Sequence, residues 1–344
     1  MHILKCMLFL FSIASSALLI YFQAFTSVSF SDDDRECIRN EWQKSSLIDG
    51  SQDFGADFRI SFADTHHLFK WIHLPVLPVP GPEILMIVTS RPDNLSRRNI
   101  LRNSWKDMNK RMKYLFFIGL GGEIGQKTNE IVKKEAELYG DIVITDMDDN
   151  YLGLSYKVGY YSHILLLEGQ NSESNFQTLS LLLFSFSKSP SSQLIGKIDE
   201  DVMFFPDQLI ELIDNGFIDM KGSNMYGYIV EAGAPVQSEC AVLKAPRTSY
   251  SCTKYPEYLA GPFYLVTNVA AQNVLKASKH RRFLISEDVL VTGLLASDVG
   301  VRRTQLPNLH MFPDVAHGPV LAWHTKLDGS KYLEKYEQIL RKQR

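Results

Sequence analysis

The sequence predicts an α/β fold preceded by one membrane-spanning helix and a stem. Three observations carry this expectation. Short apolar, β-rich runs alternate with helix-period stretches from Ile84 onward; residues 7–25 are almost wholly apolar; and a proline-studded run at 74–82 separates the two regions.

The apolar run MLFLFSIASSALLIYFQAF is interrupted only by Ser12, Ser15, Ser16 and Gln23, long enough as a helix to cross a bilayer. Lys5 precedes it and Asp32, Asp33 and Asp34 follow it, which predicts a cytoplasmic N-terminus and a lumenal body, type II. A cleaved signal peptide is the competing reading, because Ala14, Ser16 and Ala17 are small, but no clear A-x-A site follows the run. We therefore expect a tail and signal anchor over 1–26, a stem over 27–80 and a lumenal domain over 81–344. The prolines at 75, 78, 80 and 82 block both helix and central strand, so the stem ends in a linker. Trp71-Ile72-His73-Leu74 suggests that its last part packs on the body.

Within the body, Ile84–Thr89 reads as a buried strand, and the stretch from Asn94 to Trp105 reads as a helix carrying Arg97, Arg98 and Arg102. Further strands are expected at 114–118, 141–145 and 194–198, with helices at 128–139 and 154–167. The last strand runs into Asp199, Glu200 and Asp201, beyond the carboxyl end of a strand, where open α/β sheets collect ligands. A serine-rich stretch within 168–194 reads as an inserted loop, since a connection of that length is unusual in a compact domain.

The 344 residues are 45% apolar and 22% charged, enough for the core of one large domain or two modest ones. A net charge of −3 gives no general pull toward nucleic acid. The four cysteines, Cys6, Cys37, Cys240 and Cys252, lack the C-x-x-C spacing of a zinc or redox centre. In an oxidising lumen Cys240 and Cys252 could close a short loop, with Cys37 left over; two unpaired thiols is the other reading. Asn94-Leu95-Ser96 is the sole N-glycosylation sequon.

Asp199 and Asp201, one residue apart at a strand end, can meet one hard cation that also takes the oxygens of a diphosphate. Magnesium or manganese suits such a site, and an added histidine tilts the choice to manganese. His317 and His324 are the candidates for that histidine. Glu287-Asp288 opens a helix-like run at 289–295, where a carboxylate is suited either to capping the helix or to taking a proton as a general base. Arg98 and Arg102 share a helical face and either contact a nucleotide or form a solvated basic face.

Read in order, these segments resemble the β-1,3-galactosyltransferase family, which includes β-1,3-N-acetylglucosaminyltransferases and, distantly, the Fringe proteins. Arg97-Arg98-Asn99-Ile100-Leu101-Arg102-Asn103-Ser104-Trp105 is similar to R-R-x-x-I-R-x-T-W, and Phe116-Phe117-Ile118-Gly119 follows it. The stretch from Asp146 to Tyr151, with Leu154 and Lys157, resembles D-F-x-D-x-Y-x-N-L-T-L-K, with Ser155 and Tyr156 departing from it. Lys197-Ile198-Asp199-Glu200-Asp201-Val202 looks like K-x-D-D-D-V. Tyr255-Pro256-Glu257-Tyr258 with Gly261 and Tyr264, and Glu287-Asp288-Val289 with Gly293, complete the series. After Tyr258 this chain has Leu259, Ala260, Gly261 and Pro262 where the family often carries cysteine and a glycine cluster.

The resemblance implies a GT-A nucleotide-sugar-binding fold with a mixed, mostly parallel central sheet. It also implies inversion at the anomeric carbon, a Mn2+ cofactor, a UDP-galactose or UDP-N-acetylglucosamine donor, and a glycan acceptor on glycoprotein, glycolipid or proteoglycan. By position, Asp201, Asp199 and His324 would serve the metal and Asp288 would be the catalytic base. Arg98, Arg102, Lys157, Asp199 and Glu200 would help to hold the donor. The expected setting is the Golgi membrane, without nucleic acid. A silent lumenal relative that binds glycans or a partner enzyme is the alternative; a phosphohydrolase with two metals would need more clustered acids or histidines.

Overall fold

The computed structural model describes residues 30–41, 58–64, 66–120, 125–148, 173–233, 250–284, 286–312 and 315–343. The apolar N-terminal run, the helix expected at 154–167, Lys157 and Cys240 lie outside these residues. Among the described residues no helix is long and apolar enough to cross a membrane.

The described chain begins with α1 (Asp32–Asn40), whose start is written into its sequence. The Ser31 hydroxyl accepts from the Asp34 N–H, the Asp34 carboxylate accepts from the Ser31 N–H, and three aspartates occupy the positive end of the helix dipole. This helix is fastened to the body. Cys37 is disulfide-bonded to Cys252, Lys254 Nζ reaches Asp34 at 3.0 Å, and Arg281 donates to the Ile38 carbonyl at 2.7 Å. Of the two readings left open for Cys252, a loop to Cys240 or a free thiol, neither holds: Cys252 takes Cys37, 215 positions away, because packing brings their Cα atoms to 5.9 Å.

Next come β1 (Phe58–Ser61) and β2 (His66–Phe69), an antiparallel pair, then β3 (Trp71–His73), which joins the edge of the main sheet against residues 144–145. Trp71 packs edge-on to Phe69, Phe117 and Phe184. Much of the segment read as stem is thus part of the folded body, as the Trp71 run suggested. It adds aromatic surface that the sheet buries.

The body continues through β4 (Ile84–Thr89), α2 (Leu95–Ser104), β5 (Met112–Leu120), α3 (Gln126–Tyr139) and β6 (Ile142–Asp148). Then α4 (Glu173–Lys188) leads to β7 (Leu194–Asp199), β8 (Val202–Phe204), α5 (Pro206–Asp214) and β9 (Asn224–Val230). After β10 (Tyr258–Thr267) and α6 (Asn268–Ala277), a π-type helical segment spans Val289–Leu295. The chain closes with β11 (Arg302–Gln305), β12 (Leu309–His310), β13 (Ala322–His324) and α7 (Gly329–Gln343).

Eight strands form one mixed sheet in the order β11-β9-β10-β7-β4-β5-β6-β3. Its centre, β7-β4-β5-β6, is parallel, while β10 runs antiparallel between β7 and β9. The two-residue period divides the core. Leu85, Ile87 and Phe117 face one layer, and Ile84, Met86, Val88 and Phe116 face the other. Gly196 leaves room for the Met86 side chain on the neighbouring strand, whose sulfur and terminal methyl would lie 2.4 Å from a Cβ there and would have to move.

The expected insertion is the second correction. Residues 173–188 are helix, and Leu179 and Leu181–Phe184 are buried in the core. Its serines misled the reading: Ser185 is buried, but its hydroxyl donates to the Leu182 carbonyl one turn back, so the polar atom is satisfied within the helix.

We expect Cys37→Ser to lower stability by about 2–5 kcal/mol, since the bond closes a very long loop of the unfolded chain. Thermal unfolding with and without reductant checks this; reductant should bring the wild type toward the variant.

Candidate active site

The acidic triplet is divided by the turn between β7 and β8. Asp199 ends β7 beside Thr89, its register partner on β4, whose hydroxyl donates to Oδ1 at 2.7 Å. Lys197, on the same face of β7 two residues earlier, donates to the same oxygen at 2.6 Å. Glu200 turns inward: Ser90 Oγ donates to it at 2.5 Å and Asn94 Nδ2 at 2.7 Å. Burial raises its proton affinity, partly offset by those bonds. The side-chain amide of the sequon residue Asn94 is thereby engaged within the site.

Asp201 turns outward, with 54% of its side-chain surface exposed. Strand β13 runs antiparallel to β8 and pairs His324 with Val202, which brings His324 Nε2 to 3.1 Å from Asp201 Oδ2. The Met311 carbonyl, 3.1 Å from Nδ1, needs an N–H there, so Nε2 is the nitrogen aimed at Asp201. The hydrogen bond to Asp201 raises the His324 pKa. Burial pushes Asp201 up, but the His324 hydrogen bond and charge and the Arg97 charge outweigh it and leave it lowered.

A carboxylate and an oriented imidazole, one oxygen and one nitrogen donor, fit a divalent cation that keeps open positions. Asp199 Oδ1 accepts from Lys197 and Thr89, and no cluster of three His, Cys, Asp or Glu forms among the described residues.

The second acidic pair enters from the other core layer. Asp288 Oδ1 accepts from Ser286 Oγ at 3.0 Å and from the Val289 N–H at 2.9 Å, so it does cap the helical segment. That leaves Oδ2 on the side of Gly261, where a Cβ would sit 3.5 Å away. Capping and proton transfer are therefore compatible in one residue. Burial raises the Asp288 pKa, and it pushes the neighbouring Glu287 up to about 7, against the nearby Lys197 charge. Tyr264 Oη donates to Glu287 Oε1 at 2.8 Å.

Arg98 and Arg102, expected at the donor, are committed elsewhere. Arg98 is fully buried, with Nη2 2.6 Å and Nε 2.9 Å from the two oxygens of Glu135. Arg102 forms a two-pronged pair with Asp141 at 2.8 Å and lies over the Tyr139 ring at 3.9 Å. Their shared helical face packs against Glu135 and Asp141. We expect Arg98→Ala to cost about 1.5–3 kcal/mol, because the buried Glu135 loses two charge-assisted hydrogen bonds and keeps only Arg102, 2.8 Å away. Surviving folded enzyme should keep its donor affinity. Arg97 supports the metal-side turn instead, donating to the Glu200 carbonyl at 2.6 Å and the Leu327 carbonyl at 3.0 Å. Glu287 was expected beside Asp288 as half of the second acidic pair, whereas Lys197 and Tyr264 stood only within motifs with no role assigned; the signal for Lys197 was its two-residue spacing from Asp199 on one strand.

A surface carboxylate–imidazole pair after one strand end, together with a half-buried, capped carboxylate whose segment Lys197 links to that strand, suits transfer of a group from an anionic donor to a hydroxyl. The class is that of the glycosyltransferases. Residues 96–162 and 160–307 match the family model described as Galactosyltransferase, and the chain belongs to that family of hexosyltransferases. It is 41% identical over 344 aligned positions to the β-1,3-galactosyltransferase bre-2 of Caenorhabditis elegans, covering 95% of this chain and 88% of that one. The rat lactosylceramide 1,3-N-acetyl-β-D-glucosaminyltransferase is 24% identical over 73% of this chain and 63% of its own length. Among solved structures, mouse xyloside xylosyltransferase 1 aligns over 71% of this chain and 97% of its own, at 12% identity and a TM-score of 0.36.

Proposed function

We propose that the protein is an inverting, Mn2+-dependent β-1,3-hexosyltransferase of the GT-A type, moving galactose or N-acetylglucosamine from a UDP-sugar to a glycan of a glycoprotein, glycolipid or proteoglycan. The observation that carries the reading is Asp288: a half-buried carboxylate of raised proton affinity, with one oxygen held by capping bonds, beside the Lys197 contacts that join its segment to the strand leading to Asp201 and His324. Its likeness to bre-2 favours galactose as the sugar.

In this reading, the acceptor hydroxyl approaches Oδ2 of Asp288, which takes its proton as the oxygen attacks the anomeric carbon. Ser286 and the Val289 N–H hold the carboxylate in place during that transfer. Asp201 and His324 would hold Mn2+, which when bound would neutralise charge developing on the departing UDP diphosphate. A single displacement needs only one base, and Asp288 supplies it. The setting we propose is the Golgi lumen, with residues 1–26 as a type II anchor.

The test is UDP release by the purified lumenal body, screened over UDP-galactose, UDP-N-acetylglucosamine and a panel of glycan acceptors. We expect turnover that requires both Mn2+ and acceptor, fastest with UDP-galactose. Donor binding without turnover across the whole panel would point instead to a glycan-binding accessory role.

A further inference from the structure

Lys197 is 6% exposed and sits on β7 between β4 and β10. Its Nζ donates to Asp199 Oδ1 at 2.6 Å and to the Gly261 carbonyl at 2.7 Å, and lies 3.9 Å from Glu287 Oε2. Tyr264, its register partner on β10, donates to the other oxygen of Glu287. One buried ammonium thus touches the metal-side strand, the neighbouring strand β10 and the helical segment that carries Asp288.

The Gly261 contact is the telling one. Between the pairs Leu259–Ile229 and Tyr264–Gly227, β10 spends four residues where β9 supplies one, so residues 260–263 leave the β9 ladder, and of these only Phe263 has a register partner on β7, Ile198. Residues 260–262 therefore need other fixings. Gly261 is held through its carbonyl by Lys197, and a Cβ on it would lie 3.5 Å from Asp288 Oδ2, so this one residue adjoins both groups. Pro262 restricts it further, since the residue before a proline is confined to extended backbone.

We infer that Lys197 is a positioning residue that couples the donor side of the site to the base, holding Asp199 and the Gly261 bulge in one register so that Asp288 meets the acceptor hydroxyl. The inference rests on the transferase reading above and deepens it. A neutral side chain at 197 would leave Asp199 and Glu287 facing each other with that cation removed, and would free the bulge beside Asp288. Bound donor would then meet a misplaced base.

The experiment compares Lys197→Met, Lys197→Arg, Asp199→Asn and the double variant Lys197→Met/Asp199→Asn with the wild type. It measures kcat, acceptor KM, and UDP affinity by calorimetry with Mn2+. For Lys197→Met we expect kcat to fall about 10²-fold, the loss that a displacement of the order of 1 Å brings, with UDP affinity within threefold of wild type. Lys197→Arg, which keeps the charge and its donors, should recover at least tenfold of that loss. The double variant should be no worse than about threefold below the poorer single variant, because both break one link. Equal kcat in wild type and Lys197→Met, or fully multiplicative losses in the double variant, overturns the inference. So does a loss of UDP affinity that matches the loss of kcat. If Lys197→Met does not fold, Asp199→Asn decides: loss of kcat at constant UDP affinity supports the inference, and unchanged kcat or a matching loss of UDP affinity overturns it. A wild type without acceptor-dependent UDP release in any panel would instead sink the transferase reading, which separates the two failures.

Discussion

Asp288→Asn is expected to reduce kcat by about 10²–10⁴-fold, the usual worth of a general base, while UDP affinity stays near that of the wild type. Asparagine preserves shape and, through its carbonyl oxygen, can still accept from Ser286 and the Val289 N–H, so the helical segment keeps its cap. Only the capacity to take a proton is lost. Pre-steady-state UDP release and calorimetric UDP titration distinguish lost chemistry from lost binding. A fully active Asp288→Asn enzyme would move the base assignment to another residue. The pH profile offers an independent check. Burial raises the Asp288 pKa, and the base must be deprotonated to work. Activity should therefore rise with pH through a limb lying above the ordinary carboxylate range, and fall away on acidification through that same limb.

The second large effect is expected on the metal side. Asp201→Ala and His324→Ala should each weaken Mn2+-dependent UDP binding by at least the about 10–100-fold that loss of outer-shell support costs a metal site. Asp201 sits in the turn just before β8 and His324 ends β13, which pairs with β8, and both side chains are partly exposed, so the defect should lie in binding and not in folding. Titration of UDP at several Mn2+ concentrations tests this: excess metal should partly restore binding in the variants. UDP binding that ignores Mn2+ in the wild type would remove the metal from the reading. Asp199→Asn should behave differently, since its Oδ1 is held by Lys197 and Thr89; its chief defect should be in kcat.

Much of this arrangement was legible before the fold was known. The parallel strands β4 to β7 were marked by runs of β-branched and aliphatic residues, and Asp199 to Asp201 by their place at a strand end. Asp288 carried two readings, and both have physical support, since its oxygens face different neighbours. The arginines show where local reasoning stops. Arg98 and Arg102 do share a helical face, but helix periodicity says only that they face one way, not what lies there. Glu135 and Asp141, far along the chain, occupy that space.

The same boundary separates the remaining features. Sequence by itself determined the α/β class, the helix starts built on local capping, the acidic turn after β7 and, through ordered motifs, the family. These depend on neighbours within a few positions, or on the order of short segments along the chain. Only tertiary structure decided that Cys37 pairs with Cys252, that 173–188 is core helix, and that Trp71 closes the sheet. It alone brought Lys197 between Asp199 and Gly261. A disulfide, an aromatic cluster or a buried ammonium is chosen by which distant surfaces meet at contact distance, and one-dimensional spacing does not encode that meeting.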